Sequence, residues 1–348
     1  MVFHLGVLKL LAERGLLERV EKLSTVSGGS LVVGLVLHQT QLKWPTSSQF
    51  LSSVYPALRE RLCARSLMWG AVRQLKRPSQ WRFLLSRANL LAGALRDEWG
   101  LTEKLRDLPS TPEWSINGTT AENGKRFRFK REDMGDYLLG YAAPNDFPLA
   151  NAIAVSAAFP GGFGPLAIKS NDFVWKRRPW GATVGTEEVV QLPYKYLHLY
   201  DGGVYDNLGL EPYFDAGKLQ PKPPEMPIIV SDAGAPLVQG FSYGPFSLYR
   251  LKRVSDIISE QARSLRVRTF ATYLQGAPAR GAFMQISTPV GALHRKSAEF
   301  AATFPTTLRR LNTSEFDMLA GHGYEVTAQV ERQFGLISPT IPIGILPR

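Results

Sequence analysis

Two short stretches of this chain bring together residue types suited to covalent ester chemistry. The first is Thr25-Val26-Ser27-Gly28-Gly29. A serine on a tight strand-to-helix turn pushes its hydroxyl out beyond the sheet edge, and small neighbours let strand and helix backbones approach. The amide after the serine can then face a developing oxyanion, a role that falls to Gly28. The common spelling of such an elbow is G-x-S-x-G, and here Thr25 replaces the first glycine. A Ser-Gly-Gly turn with no chemistry is the competing interpretation. The second stretch is Leu199-Tyr200-Asp201-Gly202-Gly203, followed by Val204-Tyr205-Asp206-Asn207-Leu208-Gly209. An aspartate at a strand end followed by two glycines can lie against another backbone, or can simply cap a turn. Asp206 is a rival carboxylate within the same stretch. Asp232 ends another strand and reads as structural.

The elements that must hold these residues follow from periodicity. Residues 2–14 have helical spacing with a stop at Gly15, and Val20 to Val26 reads as a strand. Leu31 to Gln39 continues as an apolar helix. Residues 56–108 read as irregular helix broken at Pro78 and Gly93. Trp114 to Thr120 reads as a strand leaving into a loop, and Arg126 to Lys130 alternates as a strand does. Leu149 to Ala158 is a small-residue helix. His198 to Tyr200 is a strand entering Asp201, and Ile228 to Ser231 is a buried strand. Residues 250–275 and 311–334 are helical. Alternating strands and helices predict an α/β fold. An elbow with only 26 residues before it sits too early for an α/β-hydrolase.

An elbow serine near the start and Asp-Gly-Gly about 170 residues later resemble the patatin-like phospholipase family. Val155-Ser156-Ala157-Ala158-Phe159-Pro160-Gly161, Phe127 to Phe129, Thr306 to Leu311 and Gly321-His322-Gly323-Tyr324-Glu325 agree with it. The resemblance covers nearly the whole chain. It implies one domain over residues 1–348, three-layered, with a mainly parallel central sheet flanked by helices. It further implies a serine lipid acyl hydrolase of the phospholipase A or lysophospholipase type. Ser27 is then the nucleophile and Asp201 the base, supported by Gly29, Gly202 and Gly203, with no metal or cofactor. In a dyad the carboxylate takes the serine proton directly. The alternatives are a non-catalytic lipid-binding homologue and an esterase or thioesterase for soluble substrates. The five histidines, His4, His38, His198, His294 and His322, have no metal-like spacing. Chain order would still permit a Ser27–Asp201–His322 triad.

The family's Gly-rich oxyanion loop precedes its first helix, whereas this sequence opens on that helix. Gly28 is then the one oxyanion donor in hand, and Met1 is expected to be an internal methionine of a longer chain. A truncated homologue is the alternative. A missing first strand is expected to leave an unpaired sheet edge.

The chain has 348 residues, 41 basic and 30 acidic, for a net charge of +11. That is a globular composition, and the one cysteine, Cys63, excludes a disulfide scaffold. Residues 59–96 hold nine basic groups and one acidic, a net of +8. Arg65, Arg73, Lys76, Arg77 and Arg82 stand there among Trp69, Trp81 and leucines. Such a segment is expected to form a basic helical insertion or lid, spanning residues 56–108, that meets an anionic membrane. The other interpretation is a helical insertion packed on the core with solvated arginines. No nucleic-acid module is visible. With no signal peptide and no apolar run beyond seven residues, the expected place is cytoplasmic or peripheral to the inner face of a membrane. The apolar tail 336–348 reads either as a strand or as a membrane contact.

Overall fold

The structure is a computed structural model. It describes residues 1–83, 86–157, 164–179, 181–183, 185–242, 244, 246–247, 249–277, 279–290, 295–336 and 343–347. For residues 80, 82, 83, 87, 295, 296 and 343–347 it describes the backbone alone. The Arg82 side chain, His294 and Ala158 to Gly161 therefore lie outside the described residues.

The first part of the chain contains α1 (Val2–Glu13), β1 (Val20–Thr25), α2 (Gly28–Gln39) and the single turn α3 (Ser47–Gln49). Helices α4 (Tyr55–Ala64), α5 (Leu67–Gln74) and α6 (Arg87–Trp99) follow. Next come β2 (Glu113–Thr120), β3 (Arg126–Phe129), β4 (Met134–Asp136), β5 (Gly140–Ala142) and α7 (Leu149–Ser156). After them lie β6 (Leu166–Lys169), β7 (Trp175–Arg177), β8 (Glu188–Val190), β9 (Tyr196–Asp201) and the small hairpin β10 (Phe214–Asp215) with β11 (Gln220–Pro221). The last part holds β12 (Ile228–Asp232), α8 (Tyr249–Gln275), β13 (Gly281–Gln285), α9 (Arg295–Thr303), α10 (Thr313–Phe334) and β14 (Ile343–Pro347). The boundaries have local causes. Asn312 and Glu315 form a capping box that starts α10, and Gly100 at φ +76° ends α6.

Twelve strands form one curled sheet in the order β13-β12-β14-β1-β2-β3-β4-β5-β7-β8, with β9 on β2 and β6 on β9. The strands from β13 to β2 run parallel; the pairings of β3 to β9 are all antiparallel. The expected mainly parallel sheet is thus wrong for most pairings. The reason is connection length. Parallel neighbours need long crossovers, supplied by α2 to α6 between β1 and β2 and by α8 between β12 and β13. Strands β3, β4 and β5 are joined by the short links 130–133 and 137–139, which can only reverse the chain. At the centre, β12 is buried along its whole length and β2 along all but its first residue, so both faces are covered. The outer β7 and β8 are largely exposed.

The unpaired edge expected beside β1 is filled. Strand β14 lies parallel between β1 and β12, pairing Leu23 with Ile345 on one side and Ile229 with Ile345 on the other. Residues 343–347 of the tail are therefore interior backbone. Gly93, expected to break a helix, lies inside α6, where a Cβ would sit 2.8 Å from the Gln74 side chain. It lets α5 and α6 touch.

Helices α1 and α10 approach in the same way. A Cβ on Gly6 would lie 1.9 Å from the Ala320 carbonyl oxygen, and one on Gly323 would lie 2.1 Å from that of Phe3. Gly321, on the same helix, has open space around it. Gly323→Ala should therefore lower stability by about 2–4 kcal/mol in thermal unfolding, because two backbones must separate. Gly321→Ala should raise it by about 0.5–1 kcal/mol through helix propensity.

Candidate active site

Strand β2 organises the site. Its residue Ile116 pairs with Thr25 of β1 on one edge and with Phe129 of β3 on the other. Its residue Gly118 pairs with Asp201 of β9 and with Phe127 of β3. Strands β1 and β9 therefore occupy the same edge of β2, running toward each other, and their ends meet near Asn117. Ser27 leaves the end of β1 and Asp201 terminates β9, so the two motifs converge at one junction.

Asn117 ties the junction together. Its amide nitrogen donates to the Ser24 hydroxyl at 2.9 Å and to the Thr25 carbonyl at 3.0 Å. Its oxygen accepts from Arg126 at 2.8 Å. Burial, with help from the nearby Arg128 charge, lowers the Arg126 guanidinium below its ordinary pKa. The Thr119 hydroxyl donates to the Asp201 carbonyl at 2.8 Å. Gly202 packs on Asn117 so closely that a Cβ would lie 2.5 Å from its carbonyl oxygen. Gly202→Ala should push the Asp201 turn off β2 and cut catalysis at least tenfold, read as kcat on a soluble ester.

The elbow is strained. Ser27 sits at φ 50°, ψ −119°, a region that side-chain-bearing residues avoid at a cost of about 1–3 kcal/mol. Neighbours hold it there. Its amide donates to the Ser156 carbonyl at 2.9 Å, and behind it the Thr25, Ser30 and Ser156 hydroxyls form a chain with spacings of 2.7 and 2.8 Å. The Trp114 indole donates to Thr25 at 2.9 Å. Gly28 opens α2, so its amide stands at the positive end of that helix. Ser27→Gly should remove the strain and stabilise the fold by about 1 kcal/mol in denaturant unfolding.

The carboxylates differ in how they are held. Asp201 is 1% exposed and its Oδ1 accepts from the Gly203 amide at 2.7 Å. Asp206 gives both oxygens to backbone, accepting from Leu208 at 3.1 Å and Glu211 at 2.8 Å. Asp232 accepts from Gly234 and forms a 2.6 Å buried ion pair with Arg263. The described histidines are also engaged. His322 contacts the Ile286 carbonyl, His198 pairs with Glu122, His38 with Glu103, and His4 with the Ser231 hydroxyl.

Ser27 and Gly28 open onto a cleft of about 360 Å³. Its apolar walls include Leu31, Leu62, Met68, Trp99, Phe304 and Leu319. Arg65, Leu67 and Met68 of the basic segment belong to this wall, and the Met68 amide donates to the Leu308 carbonyl at 2.9 Å. The basic segment thus borders the cleft, but its charge is partly offset. Arg73 pairs with Glu98 at 2.6 Å, Arg77 with Asp97 at 3.0 Å and Arg59 with Asp317 at 2.7 Å. Trp69 and Trp81 are exposed, and Lys76 is exposed beside them. Asn117 and the Ser156 relay escaped the sequence reading. Both lie in stretches the sequence marks, Trp114 to Thr120 and Val155 to Gly161, but nothing local singles them out from the other polar residues of β2 and α7.

A model of the patatin-like phospholipases matches residues 1–213. The chain belongs to the patatin-like phospholipase family. At the level of that family, this is a lipid acyl hydrolase fold. Human GIVD cytosolic phospholipase A2 is a similar solved structure, with a TM-score of 0.49 and 11% identity over 95% of this chain. The chain spans 59% of that protein's length. No curated protein matches. Among the described residues no helix is long and apolar enough to cross a membrane.

Proposed function

We propose that this patatin-like protein hydrolyses acyl esters of phospholipids through a Ser27–Asp201 dyad. The observation that carries the reading is the meeting of β1 and β9 on one edge of β2, next to an apolar cleft that Ser27 and Gly28 line. In the first step Asp201 takes the Ser27 hydroxyl proton as the oxygen attacks the ester carbonyl. The Gly28 amide donates a hydrogen bond to the carbonyl oxygen as negative charge develops on it. Collapse expels the alcohol, which recovers the proton from Asp201, and leaves the acyl group on Ser27. Water then attacks the acyl carbonyl as Asp201 takes its proton, and collapse returns that proton to the Ser27 oxygen and releases the fatty acid. The apolar walls receive the acyl chain. Trp69 and Trp81, with Arg65 and Lys76 and the partly offset Arg73 and Arg77, lay the cleft mouth on an anionic bilayer.

A fluorophosphonate probe tests the chemistry. Labelling of the wild type and none of Ser27→Ala is expected; equal labelling of both would reject the serine. Trp69→Ala with Trp81→Ala should lower turnover on anionic vesicles about tenfold and leave a soluble short-chain ester unaffected. Equal losses on both substrates would count against the docking role.

A further inference from the structure

Helix α8 carries an apolar stripe, and none of residues 249–262, its first half, is buried. Along its 27 residues, Arg263 is the first that is buried, followed by Phe270 and Tyr273. Leu251, Val254, Ile258 and Leu265 recur at i, i+3, i+7 and i+14, which is one helix face. All four are exposed, Leu251 at 71% and Ile258 at 63%. An ordinary surface helix buries such a stripe. The loop before it adds Val238 at 78% and Phe246 at 99%. Exposed apolar side chains gathered along one helix mark an interaction site.

The charges around the stripe select the partner. Its two acidic residues are engaged elsewhere: Asp256 pairs with Lys252 at 2.6 Å, and Glu260 with the buried Arg263 at 2.6 Å. Arg250 and Arg268 flank the stripe and are exposed. What faces outward is therefore apolar and cationic. The loop that leads into the helix contributes Ala233 and Ala235 to the wall of the Ser27 cleft. We propose that the face of α8 that carries Leu251, Val254, Ile258 and Leu265, with Val238 and Phe246, is an interfacial docking surface for an anionic lipid bilayer. Its apolar side chains enter the acyl boundary while Arg250 and Arg268 meet lipid phosphates. This surface lies in a part of the chain separate from the basic segment; it connects to the cleft through Ala233 and Ala235, whereas the basic segment lines the cleft directly with Arg65, Leu67 and Met68.

The test is sedimentation of the full chain with vesicles of phosphatidylglycerol in phosphatidylcholine. Wild type should bind, more weakly at high salt. Leu251→Ser, Val254→Ser and Ile258→Ser combined should weaken binding tenfold or more, with the melting temperature and soluble-ester turnover unchanged. Lysine for Arg250 and Arg268 should retain binding, and glutamine at both should weaken it and lessen its salt dependence. Sedimentation reads binding without turnover, so its outcome is independent of the Ser27 chemistry. Unchanged binding of the triple variant overturns the proposal, as does no binding by wild type. A wild-type dimer that the triple variant converts to monomer, with vesicle binding intact, would overturn it in favour of a second copy.

Discussion

Asp201→Asn should lower ester turnover by about 10⁴-fold while leaving thermal unfolding within about 0.5 kcal/mol of wild type. The amide oxygen can still accept from the Gly203 amide, so the turn at the end of β9 is kept. The Asp201 backbone stays paired with Gly118, and its carbonyl keeps the Thr119 hydroxyl. What the amide cannot do is take a proton, and a serine hydroxyl without a base is a poor nucleophile. Loss of a comparable carboxylate in a serine triad costs about 10⁴, and here the carboxylate is the base itself. Fluorophosphonate labelling rates give the same comparison with no substrate. Turnover within tenfold of wild type would remove Asp201 from the chemistry. Asp206→Asn gives the contrast: both of its oxygens brace backbone amides, so its effect should fall on stability.

Truncation after Leu336 should abolish the cooperative fold. Strand β14 is paired on both sides, with β1 and with β12. Removing it leaves two interior strands with facing rows of unpaired N–H and C=O groups. Each such buried group costs about 1–3 kcal/mol, and several together exceed the 5–15 kcal/mol by which a typical domain is stable. The expected readout is loss of a sigmoidal melt and elution as aggregate. Gly344 is paired on both sides, so Gly344→Pro should reproduce much of the loss without shortening the chain. A monomeric truncated chain with an unchanged melt would show that β14 is dispensable.

The local elements were readable because each carries its own signal. The elbow, the apolar α2, the buried β12 and the capped α10 declare themselves in periodicity and in end residues. Strands β4 to β8 did not. They are three or four residues long, and β7 and β8 present mostly exposed side chains, too little for a period of two to register. The charge of residues 59–96 was counted correctly yet overstated its field. Glu98, Asp97 and Asp317, all outside that window, pair with Arg73, Arg77 and Arg59. Gly93 continues α6 rather than breaking it for a related reason: its missing Cβ makes room for the Gln74 side chain of the neighbouring helix.

From the sequence alone came Ser27 and Asp201 as candidates, the α/β alternation, and the family resemblance that joined them. Those are properties of short segments, where residue type and spacing decide local backbone and local chemistry. Tertiary structure decided which strands are neighbours: that β1 and β9 run head-on along one edge of β2, and that a strand from the far end of the chain sits beside β1. It also decided that the first half of α8 is left uncovered. Strand pairing depends on hydrogen bonds between backbones that are alike at every residue, so neither partner nor direction is encoded in any single segment.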